Sequence, residues 1–153
     1  MNTTTDESKK FWEEKEKEKG GKVHFFTFAT FLGKTNDKQV NLGGLLYIVD
    51  DRVYFEDFEK DNWFAKIVSK KKNYEKTEFS FNISDINETR IVSKGSALNC
   101  IAGNMNDEDT KSISNILKTL FQSAVQVRLK SYSYFFDIMR DRDFLKALLG
   151  IAA

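Results

Sequence analysis

From Val23 onward, apolar residues recur at every second position or more densely, and the runs are β-branched and aromatic, the pattern of strands. VHFFTFATFL is the first run, and Gly33 with KTNDKQ makes a loop. GGLLYIV is a second strand, Asp50-Asp51 a tight turn and RVYFEDF a third strand. Strands with so short a turn between them read as a hairpin. In the third strand Val53 and Phe55 share one face, while Arg52, Tyr54 and Glu56 share the other. WFAKIV, 63–68, predicts a fourth strand, the charged run SKKKNYEKTE a loop, and FSFNI a further strand with Phe79, Phe81 and Ile83 on one face. Ser84-Asp85 then breaks the alternation and INETRIV resumes it, so the stretch reads as two short strands meeting at a corner. ALNCIAG, 97–103, is expected as one more short strand.

Two segments carry a different pattern. Residues 1–22 are polar, with Ser8 placed to cap KKFWEEKEKEK and Gly20-Gly21 placed to end it. Phe11 and Trp12 are its apolar anchors, so a tail or short helix docked through these two residues is expected. After Asn106-Asp107, the acids Glu108 and Asp109 are a helix start signal. Ile113, Ile116, Leu117, Leu120, Phe121, Ala124 and Val127 or Arg128 follow at helical spacing, which predicts a helix over about 107–130. Tyr132 to Leu149, with Phe135, Phe136, Met139, Leu145, Leu148 and Leu149, reads as more helix, continuous with the first or turned back upon it. The expected fold is therefore α+β, in one domain over 23–153. A bent antiparallel sheet or small, partly open barrel is followed by a helical segment over 107–149, one long helix or a helix pair.

Composition narrows the function. The chain has 153 residues, 14 of them Phe, enough for one real core. Lys+Arg at 24 and Asp+Glu at 23 leave a net charge of +1, which gives no general attraction to nucleic acid. A single cysteine, Cys100, rules out an intrachain disulfide and favours a reducing, cytoplasmic setting. No apolar run approaches the ~20 residues of a membrane span, and no apolar run follows Met1. His24 is the only histidine, which excludes a site of several His ligands, and a zinc cluster cannot be built within one such chain. Walker, G-x-S-x-G and G-x-G-x-x-G motifs are absent. Gly43-Gly44 precedes a strand, not a helix that would hold a phosphate at its N-terminus. No enzyme activity, cofactor or metal is expected.

GGLLYIVDDRVYFEDF resembles the hairpin of GRAM and bacterial pleckstrin-homology-like domains: a glycine, an apolar strand, a short turn, and an apolar strand with an aromatic near its end. FSFNISDINETRIV resembles the segment that follows there, with Phe81, Ile83, Ser84, Asp85 and Ile86 at the matching positions of a Ser-Asp-Ile corner. Sharp bends close a small barrel, and Ser or Asp satisfies backbone groups released at a bend. The resemblance covers about 42–92. It implies a pleckstrin-homology-like fold and a non-catalytic intracellular binding module.

Three features are candidates for binding. Trp63-Phe64 and the very apolar C-terminal segment, represented by Phe136 and Leu148, are candidates for docking a protein partner or for self-association. The surplus of apolar residues near the C-terminus calls for either a second core layer or such a surface. The alternative is a peripheral role at an anionic membrane, through Lys70, Lys71, Lys72 and Lys76, because the resemblance implies basic loops that meet lipid headgroups. Nucleic acid is not an expected partner.

Overall fold

The computed structural model describes residues 3–58, 77–113 and 122–152. Its strands are β1 Val23–Lys34, β2 Leu42–Val49, β3 Arg52–Asp57, β4 Glu78–Asn82, β5 Glu88–Ser93, β6 Ser123–Arg128 and β7 Ser133–Ile138. They form one seven-stranded sheet in the order β4-β3-β2-β1-β7-β6-β5, with every neighbouring pair antiparallel. The helices are α1 Thr3–Lys19, α2 Lys94–Ile101 and α3 Asp141–Ala152.

Connectivity forces the sheet to bend. β4 and β5 are consecutive in the chain yet occupy opposite edges. Seven flat strands would set those edges about 29 Å apart. The chain from Asn82 to Glu88 reaches at most about 21 Å. The sheet therefore curls toward a barrel without closing, and the corner anticipated at Ser84-Asp85 is where the chain passes from one edge to the other. A 3₁₀ turn, Ile83–Asp85, makes this corner. The Ile86 amide donates to the Ile83 carbonyl, Asn82 Nδ2 donates to Asp85 Oδ2, and Ile83 and Ile86 pack on the core.

One hydrophobic core fills the inside of the curl: Phe31, Leu46, Ile48, Val53, Phe55, Phe81, Val125, Val127 and Phe136, closed by Phe144 and Leu148 of α3. These two helix residues lie four apart on one face. A second core lies on the other side of the sheet, where α2 covers Leu32, Val92, Ala124 and Phe135 with Ala97, Cys100 and Ile101. The Ser93 side chain caps α2 by accepting from the Ser96 amide. The surplus of apolar residues is thus taken up by a second layer of core.

Several expected elements are corrected. ALNCIAG is largely helical, within α2. Of the helix expected over 107–130, Asp107–Asp109 is a 3₁₀ turn and Ser123–Arg128 is β6; residues 114–121 lie outside the described residues. Of the helix expected over Tyr132–Leu149, Ser133–Ile138 is β7, and helix begins only at Asp141. The physical reason is burial on both faces. β6 and β7 have core on each side, Val125 and Phe136 within, Ala124 and Phe135 without. Their apolar residues therefore do not alternate, and spacing alone does not separate such a strand from a helix. The strand expected at 63–68 lies outside the described residues.

Gly44 is required by close approach. A Cβ there would lie 2.2 Å from the Glu56 carbonyl oxygen and 2.9 Å from Asp57 Cα. Among the described residues, no helix is long and apolar enough to cross a membrane.

Phe136 is fully buried at the centre of the inner core. Phe136→Ala is expected to lower global stability by about 3–5 kcal/mol, the usual cost of such a cavity, read from urea unfolding followed by circular dichroism.

Candidate functional site

The outer face of β1 carries two exposed aromatics, Phe26 and Phe28. Along this strand Ala29 and Phe31 face the inner core, and His24, Phe26 and Phe28 face out. Pairing extends the outer surface sideways. Phe26 lies opposite Tyr47 and Phe28 opposite Leu45 on β2, while Tyr47 pairs with Tyr54 and Leu45 with Glu56 on β3.

α1 covers one half of this face. Trp12 packs on Phe26 with ring centroids 4.5 Å apart and edge-on to Tyr47 at 5.4 Å. Phe11 braces Trp12 at 5.0 Å. The two anchors read from the sequence are thus the aromatic contacts of the helix. The sequence pattern did not reveal the polar contact beside them. Lys15 Nζ lies 2.8 Å from Glu56 Oε1 and donates to Oε2 at 3.0 Å, and the Tyr47 hydroxyl donates to Oε2 at 2.9 Å. Glu56 and Tyr47 are buried. Burial alone would lower the Lys15 pKa, but the Glu56 hydrogen bond and charge, with Glu18 in support, raise it above the ordinary lysine value. Burial, then the Glu56 charge, pushes the Tyr47 phenol well above its ordinary range. Lys19 adds a second ion pair to Glu78 at 2.8 Å and sits over the Tyr54 ring at 4.9 Å.

The other half of the face is uncovered among the described residues. Phe28 is 52% exposed, Phe58 40% and Met139 74%. The Phe28 and Phe58 rings lie 5.7 Å apart. The Met139 amide donates to the Phe28 carbonyl, one step beyond the Ala29–Ile138 pair, so Met139 lies beside Phe28. Single exposed apolar residues are ordinary, but a contiguous set of this kind is a feature of interaction sites.

The candidate residues from the sequence fall elsewhere. Trp63, Phe64, Lys70, Lys71, Lys72 and Lys76 lie outside the described residues. Phe136 is 0% exposed and Leu148 5%; both are core side chains, and neither offers a surface to a partner.

Among the described residues, His24, Cys100 and Asp107 form no catalytic set. His24 is half exposed, with Nε2 3.6 Å from Asp50 Oδ1. The groove of about 450 Å³ beside it is lined by Lys9, Trp12, Glu13, Glu16, Phe26 and Arg140 among others, with no Ser, Thr or Cys. Cys100 is buried in the outer core; burial, then Asp107 and Asp109, raises its thiol to about 11, so it stays protonated at neutral pH. Asp107 accepts from Thr35 Oγ1 and from Ser133 Oγ, each at 2.8 Å. Gln126 Nε2 donates to Ser133 Oγ and to the Asp107 carbonyl, each at 3.0 Å, and Gln126 Oε1 accepts from Thr110 at 2.6 Å. This partly buried network clips the 3₁₀ turn to β6 and β7 and contains no imidazole to activate the serine. No cluster of potential metal ligands occurs among the described residues.

No family model matches the chain, and no curated protein matches it significantly. Among solved structures, the chain is similar to the crystal structure of the C-terminal domain of an unknown protein from Leishmania infantum. The TM-score is 0.52 and the identity 11%, over 95% of this chain and 98% of that one. The similarity is one of fold alone.

Lys15→Met is expected to release α1, because it removes the buried cation that faces the Glu56 carboxylate under the helix. The loss is about 3 kcal/mol of docking, at the low end for breaking a buried pair, read as faster amide exchange in 8–19. The same release follows alkali. The Lys15 pKa is raised in the folded protein, so its contribution is complete below the unfolded lysine value and is lost as pH rises through the raised one. Exchange measured up to the lysine range, corrected for intrinsic rates, checks this.

Proposed function

We propose that this chain is a non-catalytic binding module with a pleckstrin-homology- or GRAM-like fold, and that it docks a protein partner, self-association included, through its outer aromatic face. The fold reading rests on strand order and corner together. An up-and-down sheet is cut between β4 and β5, its corner falls at the Ser-Asp-Ile step, and a C-terminal helix closes the inner core. The functional reading rests on one observation: Phe28, Phe58 and Met139 are exposed side by side on a sheet whose neighbouring half is already covered by a helix. Such a surface buries apolar area on association and supplies aromatic anchors of the kind that dominate interface energetics. A binding role also agrees with His24 lying beside Asp50 while Cys100 is buried in the outer core near Asp107.

The test is the oligomeric state in solution. Sedimentation velocity and light scattering over a concentration series are expected to show self-association that the double substitution Phe28→Ser, Phe58→Ser weakens about thirtyfold, one aromatic anchor's worth at about 2 kcal/mol. A wild type that stays monomeric at millimolar concentration removes self-association. Co-sedimentation with anionic and neutral vesicles tests the membrane alternative: salt-sensitive binding lost on replacing Lys70, Lys71 and Lys72 by Gln would establish it in place of the protein-docking reading.

A further inference from the structure

We infer that the outer edge of β4 is a docking site for an extended acidic peptide, which would add to the sheet as a further strand. This rests on observations separate from the aromatic face and stands or falls without it.

Among the described residues, one edge of the sheet is covered by the chain itself and the other is not. Along β5 the chain covers its own edge: the Ser93 amide donates to the Lys111 carbonyl, and the Ile113 amide to the Ile91 carbonyl. Along β4 no such cover exists among the described residues. The Asp57 amide donates to the Thr77 carbonyl and the Ile83 amide to the Asp51 carbonyl. With Phe79 opposite Phe55 and Phe81 opposite Val53, these bonds fix the alternation of the ladder. Phe79 and Phe81 turn their main-chain groups to β3, and Ser80 and Asn82 turn theirs outward. Among the described residues no main-chain partner receives the outward groups of Ser80 or the outward amide of Asn82, while the Asn82 carbonyl opens the 3₁₀ turn Ile83–Asp85.

That edge borders an open cleft of about 720 Å³, with the Leu129–Tyr132 turn on its far side. An edge with outward amides and carbonyls is a template for another strand. The charge on the cleft selects which one. Arg52 lies on its wall, where Nε donates to Ser80 Oγ at 2.9 Å and Nη1 to Asn82 Oδ1 at 2.6 Å. Both acceptors are neutral. The guanidinium is thus held in place with no carboxylate partner among the described residues, and its remaining donors suit an incoming carboxylate. Lys130, exposed and without an ion pair among the described residues, stands across the cleft. Asp85 is the only acid among the lining residues, and it accepts from Asn82. One fixed cation, Arg52, and one exposed cation, Lys130, against one occupied carboxylate favour a peptide with Glu or Asp at alternate positions, the period at which one face of a strand presents its side chains.

The experiment follows backbone amide chemical shifts of the full chain during titration with the blocked peptide Thr-Glu-Val-Glu-Thr-Glu-Val. Two controls are its Lys-for-Glu counterpart and a version N-methylated at alternate amides. The expected result is saturable shifts centred on Ser80, Asn82 and the Leu129–Tyr132 turn, with each control at least about tenfold weaker. Arg52→Gln is expected to weaken the acidic peptide about tenfold and leave the lysine peptide unchanged. Lys130→Gln, at an exposed position that the fold does not need, is expected to act in the same direction and guards against a folding defect in the first variant. Shifts elsewhere, equal binding of acidic and basic peptides, indifference to N-methylation, or no binding at millimolar peptide would each overturn the proposal.

Discussion

The structure depends on β1, the strand that joins the β2–β4 half of the sheet to the β5–β7 half. β1 holds β2 on one side, from Val23 to Phe31, and β7 on the other, from Ala29 to Lys34. It therefore belongs to both halves of the sheet and is where they turn against each other. The register with β7 shifts between Phe31 and Gly33, and Gly33 adopts φ 145°, a conformation that a residue with a side chain rarely takes. A Cβ there would also lie 3.0 Å from Ile101 of α2. The bend that lets the sheet curl and the seat for the outer helix are set by the same glycine.

That curl assigns duties to the faces. The inner face is a dense aromatic core in which Phe31, Phe55, Phe79 and Phe136 lie within ring-contact distance of one another. The outer face is divided among α2, α1 and an uncovered remainder. The two covering helices use different physics. α2 is held by apolar burial and a clean cap, whereas α1 is polar apart from Phe11 and Trp12 and relies on the Lys15–Glu56–Tyr47 contact. A buried ion pair of this kind contributes little net stability but is costly to break on one side. It gives α1 one defined position.

The first half of the fold was legible because its strands alternate. Val53 and Phe55 point in while Arg52 and Tyr54 do not, and the break at Ser84-Asp85 marked the place where alternation stops. β6 and β7 were not legible as strands, because Ala124-Val125 and Phe135-Phe136 supply both cores at once and imitate the spacing of a helix. α2 is short, and its Ala-Leu-Asn-Cys-Ile run suits either state. The outer aromatic face was hidden for a related reason. In VHFFTFATFL, Phe28 and Phe31 differ only in which side of the sheet they meet, and that is decided by partners remote in sequence. The cleft beside Arg52 draws on three separate stretches of chain, so no local pattern announces it.

The double pairing of β1 also orders the events of folding. Its second partner is β7, so Ala29 waits for Ile138, more than two-thirds of the chain's length away. During synthesis the half-sheet β1 to β4 emerges first, with one edge of β1 bare and the Phe-rich inner face uncovered. Contacts between residues so distant in sequence close slowly, and uncovered strand edges invite other chains while they wait. A chain cut short before Ser133 would leave its first strand without a second neighbour and its aromatic core without a lid, a species suited to aggregation rather than to partial function.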